Sequence, residues 1–272
     1  MLREDAGSAA AQHTDGARES DAPGAPPEAV RSHERTLVLR EDPGLGEQLH
    51  PARLEAAVPS SVAAVLAIER GSWEPPLPAR PAGWLGFLVL DGLFARRVTL
   101  HGTTWTELLG PGDVLEPWQR DREINSSCPP IVRFELLAPG RVAVLDRGFM
   151  VRMADWPEVT AAVSARLVER TRSLTYALAI CGRVGVAERL VLTLRHLADR
   201  WGRVTRDGVV LELPGMTHEM LASQVGAARP SVTTALGELH RRGEARRLGP
   251  GSWLLRHQAP TDGQPGPPAL PS

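Results

Sequence analysis

Arg229, Ser231, Thr233 and Thr234 lie within six consecutive positions, on a segment whose apolar residues Val232, Ala235, Leu236 and Leu239 repeat at helical spacing. A guanidinium fork and several hydroxyls on the polar side of one helix suit hydrogen bonding to base edges and phosphates. Arg229 fits guanine O6 and N7 best, because two parallel N–H donors meet two acceptors. Ser231, Thr233 and Thr234 suit either bases or phosphates, and Thr217 offers one more hydroxyl upstream. Arg246 and Arg247, in a later basic turn, suit the phosphate backbone. From Pro214 to His257 there are six Arg against three Glu, so the positive charge is local. A local basic face is what phosphate contacts require.

These side chains need elements to hold them. Thr217 can cap a short helix with Leu221, Ala222 and Val225 inward, since a Thr hydroxyl satisfies a free first-turn N–H. Gly226 ends that helix, and a second runs from about Arg229 to Arg241, with Pro230 tolerated in its first turn. Ala222 and Gly226 provide the small contact residue and the permissive turn that two steeply crossing helices need. Beyond Gly243, the stretch Leu248 to Leu255 reads as a hairpin with a Gly-Pro-Gly tip. The order helix, turn, helix, hairpin predicts a winged helix-turn-helix that lays its second helix in the major groove.

The rest of the chain bounds what that unit can be attached to. A length of 272 residues with 42% hydrophobic content suits about two domains, and the formal net charge of -1 excludes a general affinity for polyanions. No apolar run is long enough to span a membrane and no signal-peptide core is present, so a cytoplasmic, nucleoid-associated protein is expected. The two cysteines, Cys128 and Cys181, predict no disulfide framework. Residues 1–34 and the Pro-rich 258–272 lack apolar periodicity and are expected to be unstructured. Leu37 to Leu54 predicts short helices leading into the next domain.

Between Val62 and Asp146 the pattern is that of short strands: Val62 to Ile68, Leu85 to Leu90, Phe94 to Leu100, Trp105 to Leu109, Val114 to Trp118, Ile131 to Leu137 and Val142 to Leu145. Asp91-Gly92 signals a hairpin between two of them. Many short strands predict an antiparallel β-roll or jelly roll. A long helix from Pro157 to about Cys181 follows. Its Val163, Leu167, Leu174 and Leu178 form a coiled-coil-like seam that predicts a homodimer, or packing on the roll, or both. Another amphipathic helix, Ala187 to Trp201, and a strand pair around Val204 to Leu213 lead into the helix-turn-helix.

Three pieces carry a family resemblance: Leu108-Leu109-Gly110-Pro111-Gly112-Asp113, Val186-Ala187-Glu188-Arg189-Leu190, and Leu221-Ala222 through Gly226, Arg229, Val232 and Leu236. Over roughly Leu37 to Arg256 the chain resembles the Crp/Fnr superfamily, the cyclic-AMP receptor type of bacterial transcription regulator. The resemblance implies an α+β fold: an N-terminal cyclic-nucleotide-binding-like β-roll, a long dimerisation helix and a C-terminal winged helix-turn-helix. RNA polymerase is an implied partner, alongside double-stranded DNA and a second copy of the chain. The divisions expected are 35–156, 157–182 and 183–257. Two departures stand out. Where family members that bind cyclic nucleotides have a Gly-Glu pair and an Arg before Ser or Thr, this chain has Glu116-Pro117-Trp118 and Ser127-Cys128-Pro129-Pro130. A cyclic phosphate would meet a carboxylate and prolines without an N–H, which argues against cyclic AMP. In the second helix, the acidic neighbour expected after Arg229 is Pro230 and a second Arg is Thr234, so a different operator is expected.

No cofactor is expected. Two cysteines cannot hold an iron-sulfur cluster, and a haem would have only His101 or Cys128 to bind. A cupin-like metal enzyme, the remote alternative, needs several His and carboxylates converging in a barrel, yet His101 is the sole His between His50 and His196. No metal site and no catalytic set is expected. Glu116, Trp118 and Arg133, in or beside the altered cassette, are the candidate effector contacts. The sequence thus predicts a dimeric, sequence-specific DNA-binding regulator acting on an inverted repeat, with an effector-independent or architectural DNA binder as the alternative.

Overall fold

A computed structural model of the chain describes residues 34–76, 84–116 and 128–257. The tails expected to be unstructured, and Trp118, lie outside the described residues, Glu34 excepted. The N-terminal half is built on a seven-stranded antiparallel sheet. Its strands are β1 (Arg35–Leu37), β2 (Val62–Ile68), β3 (Gly71–Trp73), β4 (Gly86–Leu100), β5 (Thr103–Leu109), β6 (Val114–Leu115) and β7 (Ile131–Leu145). The order is β1-β2-β7-β4-β5, with β3 beside β7 and β6 beside β4.

The two long strands correct the sequence reading. Leu85 to Leu90 and Phe94 to Leu100 are not a hairpin; they are halves of the continuous β4, which pairs with β7 from Gly86 opposite Leu145 to Thr99 opposite Ile131. Asp91-Gly92 is a bulge in that ladder, where the register shifts between Val89 and Phe94. Gly92 has φ +88°, and a Cβ on Gly140 would come within 2.5 Å of the Asp91 carbonyl oxygen, so two glycines let the strands cross closely as they bend. Ile131 to Leu137 and Val142 to Leu145 likewise merge into β7. Val114 to Trp118 is shorter than expected, ending as a strand at Leu115.

Bending the sheet gives it two apolar faces. Inside the roll, Trp73 meets Phe87, Phe94 and Phe134 edge to face, at centroid distances of 5.5, 5.6 and 6.0 Å. Against the other face pack α1 (Val38–Glu41), the 3-10 turn Pro43–Gly46, α2 (Pro51–Ala57), α3 (Arg147–Arg152) and the start of α4 (Pro157–Cys181), through Leu39, Leu45, Ala57, Phe149, Val159 and Val163. Val163 is thereby 1% exposed and belongs to the roll's core, which corrects its assignment to a free dimer seam. Leu174 is half-buried, whereas Leu167 and Leu178 stay 38% and 73% exposed.

After α4 come α5 (Val186–Trp201), β8 (Arg203–Thr205), β9 (Gly208–Glu212), α6 (His218–Gln224), α7 (Arg229–Arg241), β10 (Ala245–Gly249) and β11 (Ser252–Leu255). The last four strands form a second sheet of order β10-β11-β9-β8. One core joins this domain to the roll: Leu93, Ala95, Leu108 and Leu137 cluster with Leu190, Leu194, Leu221 and Trp253. Polar links reinforce the joint. Arg200 of α5 pairs with Asp113 at 2.6 Å, Ser223 of α6 donates to the Thr106 hydroxyl at 2.6 Å, and Arg97 approaches Glu219 at 3.7 Å. Arg170 of α4 holds buried Glu107 through two N–H donors, and Glu107 also pairs with Arg96. Burial pulls the Arg96 guanidinium down to about 10, still cationic at neutral pH.

Candidate nucleic-acid interface

Thr217 starts the site. Its Oγ1 accepts the Met220 N–H at 3.2 Å, closing the first turn of α6. Gly226, at φ +58°, turns the chain in the left-handed region that favours glycine and delivers it to α7. Val232, Ala235 and Leu239 seat α7 on the core at 0 to 4% exposure. That anchorage turns Arg229, Pro230, Ser231, Thr233 and Thr234 outward, all exposed.

The hydroxyls are not equivalent. Thr233 donates its proton to the Arg229 carbonyl and Thr234 donates to that of Pro230, each at 3.2 Å. Their remaining lone pairs face outward as acceptors, suited to exocyclic amino groups of cytosine or adenine. Ser231 and Thr234 line the flank of α7 that faces the first turn of α5, beside Glu238 and Arg242, whereas Thr233 faces His218. Arg242 is committed to Glu238 and Glu244, which leaves Arg229 as the forward cation of the helix.

Arg246 and Arg247 lie on β10, paired through Arg246 opposite Leu254 and Arg247 opposite Trp253, with Gly251 turning the tip at φ +66°. Both are exposed, and Arg247 Nε donates to the Gly249 carbonyl at 3.1 Å. Consecutive strand residues point to opposite faces, and it is Arg247 that shares the surroundings of His218 with Arg229.

His218 ties these pieces together, and sequence reasoning missed it. Its Nδ1 lies 3.1 Å from Thr233 Oγ1. Since the Thr233 proton already goes to Arg229, the imidazole must donate Nδ1–H, leaving Nε2 as a buried acceptor without a hydrogen bond. Burial, then the charges of Arg247 and Arg229, hold the His218 pKa below its ordinary value. One imidazole thus feels the recognition helix and the wing at once. The only signal in the sequence was a His directly after a helix-capping Thr.

The remaining candidates are scattered. Glu116 and Arg133 stand at the surface of the roll, Arg133 opposite Arg97 in the ladder. His101 Nε2 and Cys128 Sγ meet at 3.1 Å near the turn after β4. No group of three or more potential metal ligands occurs among the described residues, and none of their helices is long and apolar enough to cross a membrane.

Comparison with known proteins places this geometry. Residues 188–259 match the model of a Crp-like helix-turn-helix domain. The chain carries a Crp-like helix-turn-helix domain. Among solved structures it resembles a CooA mutant from Carboxydothermus hydrogenoformans at 18% identity and TM-score 0.57, over 82% of this chain and 92% of that one. A cyclic nucleotide-binding domain containing protein from Listeria monocytogenes is similar at 17% identity and TM-score 0.57, over 78% and 96%. FixK2 from Bradyrhizobium japonicum is similar at 20% and TM-score 0.54, over 72% and 93%. No curated protein sequence matches the chain at a significant level. At these identities the structural likeness is one of fold, and the Crp-like match covers the elements that hold Arg229, His218 and the wing.

Proposed function

We propose that this protein is a transcription regulator that binds an inverted-repeat operator as a homodimer, in the cytoplasm and at the nucleoid. The observation that carries the reading is the outward face of α7: Arg229 and Thr233 exposed, joined through His218 to Arg247 of the wing, on a helix held from behind by Val232 and Leu239. Arg229 reads a guanine, the threonine lone pairs read amino groups, and the wing arginines grip phosphates. Ser231 and Thr217 supply further phosphate contacts. Two copies related by a two-fold axis place their recognition helices about 34 Å apart, one turn of DNA. RNA polymerase is the partner that such a regulator addresses.

The dimer forms along α4. Its outer side exposes Leu167, Val168 and Leu178 on a 25-residue helix whose first turns are spent on the roll. Leu178→Glu places a charge in that stripe, so sedimentation should show monomers where the parent chain shows dimers, with an unchanged fold by circular dichroism. Regulation reaches the DNA-binding domain through the core it shares with the roll.

Selection from a random duplex pool tests the main claim. Enrichment of an inverted repeat with half-sites one helical turn apart supports it; equal retention of all sequences, abolished by moderate salt, instead identifies an architectural binder.

A further inference from the structure

At the tip of the β4–β5 hairpin stands a pair that the DNA interface does not use: Cys128 Sγ lies 3.1 Å from His101 Nε2. Both residues are delivered by stiff backbone. β4 ends at Leu100 and β5 begins at Thr103, so His101 and Gly102 make a two-residue turn, at φ +45° and +80°. His101 is the sole non-glycine residue with positive φ among the described residues. Asn or Gly would fill such a position at lower cost, so the imidazole is held there against the preference of the backbone. From the other side, Pro129 and Pro130 stiffen the chain between Cys128 and β7, and Ile131 of β7 pairs opposite Thr99 of β4. One ladder therefore brings the thiol and the imidazole together.

A thiol within hydrogen-bond reach of an imidazole is the arrangement that activates a sulfur nucleophile, because Nε2 is placed to take the proton as the sulfur attacks. The pair is accessible, with His101 exposed and Cys128 half-buried. The chain's other thiol has a different partner: Cys181, at the end of α4, donates to the Gln224 carbonyl of α6 at 3.3 Å. That arrangement also selects the chemistry. A peroxide would leave a sulfenic acid at Cys128, which needs a second thiol to be captured as a disulfide, and Cys181 is committed at the joint of α4 and α6. Addition to a carbon electrophile needs neither a second thiol nor an oxidant.

We propose that Cys128 is a covalent sensing site for α,β-unsaturated carbonyl compounds, with His101 as its base. The sulfur forms a bond to the β-carbon, the C=C π pair moves toward the carbonyl, and the thiol proton, taken by Nε2, is returned to the α-carbon. The product is a thioether, and nothing is oxidised or released. The adduct sits on the hairpin whose body meets the helix-turn-helix, through Arg97 of β4 near Glu219 and Thr106 of β5 bonded to Ser223. Modification of the tip therefore bears on how α6, and α7 behind it, is held. That consequence rests on the regulator reading; the thiol chemistry does not.

N-ethylmaleimide, a compact member of that class, is the probe. One equivalent added to the full chain at about pH 7 should label Cys128 before Cys181, read by mass spectrometry of the digested protein. His101→Asn keeps a residue that tolerates the turn and removes the base; it should slow labelling of Cys128 about tenfold, the worth of one hydrogen bond to a charged group. Added imidazole should restore part of that rate, which a merely structural role of His101 would not allow. Circular dichroism confirms the fold of each variant. Faster labelling of Cys181, or an equal rate at Cys128 in His101→Asn, overturns the proposal. Labelling should also shift affinity for a selected operator several-fold in the parent chain and not in Cys128→Ser; full labelling with unaltered affinity overturns the sensing role. A chain that labels through His101 but selects no operator keeps the site and loses the regulator. Operator selection with an unreactive Cys128 does the reverse.

Discussion

At the scale of single residues, the interface divides into a reader and a sensor of charge. Among the described residues Arg242 takes both Glu238 and Glu244, the acids of α7 and of the turn after it, and Arg229 forms no ion pair with them, so its fork is available to a guanine. Arg229→Ala should cost about 1 to 3 kcal/mol per half-site on the selected operator and relax preference at one base pair. Equal losses on operator and random duplex, measured by fluorescence anisotropy, would contradict a base-reading role. His218 behaves differently. Its pKa in the free protein lies below the ordinary value of about 6.5, because it is partly buried and faces Arg247 and Arg229, with Thr233 as its hydrogen-bond partner. DNA phosphates at the proposed interface oppose those two cations and favour the imidazolium, so binding takes up a proton between the free and bound pKa values. Affinity should therefore rise as pH falls from about 8 to about 6, and His218→Gln should flatten that slope. Arg229 was legible in the sequence because a cation at the start of an amphipathic helix has few other uses. His218 was not, since its role exists only once the wing brings Arg247 beside Thr233.

At the scale of elements, legibility followed how local the determining physics is. The bounds of α4 and α7 could be read from Pro157, Pro230 and the apolar period, because helix starts are set by residues within one turn. The long strands could not. Asp-Gly supplies a positive φ equally to a hairpin turn and to a bulge, and only the facing Pro139-Gly140 on β7 makes it a bulge. Val163 was misplaced for the same reason, since a stripe's period does not say which surface covers it. The crossing of the two strands gives a sharp test. A methyl group on Gly140 would stand 2.5 Å from the Asp91 carbonyl oxygen and 2.9 Å from Gly92 Cα, both backbone atoms that cannot step aside alone. Gly140→Ala should destabilise the protein by about 1 to 3 kcal/mol in urea unfolding, as overpacking does. Gly237→Ala, with nothing within 4 Å of the added methyl, is the control and should be neutral or slightly stabilising.

At the scale of the molecule, the roll and the DNA-binding domain fold as one body, which neither composition nor period in the sequence discloses. Leu108 belongs to the roll by chain position and to the DNA-binding domain by packing, at 2% exposure. Leu108→Ala should cost about 2 to 5 kcal/mol, and calorimetry should show one transition displaced as a whole. Two peaks with one displaced would mean that the domains unfold separately. Acid should loosen the same joint through His196. Burial, then the charge of Arg200, holds its folded pKa below the ordinary histidine value, so the unfolded chain binds more protons as pH drops below about 6.5. The stability it contributes is complete above that pH and is lost progressively below it. His218 adds a change of the same sign, whereas Glu41, held below the usual carboxylate range by Arg141, contributes stability that is lost only at more acid pH. Tm should therefore fall from about pH 7.5 to about pH 5, and His196→Gln, which keeps a hydrogen bond to Ser173 but cannot be protonated, should fall less steeply. A Tm slope unchanged by that substitution would place the acid sensitivity outside the joint.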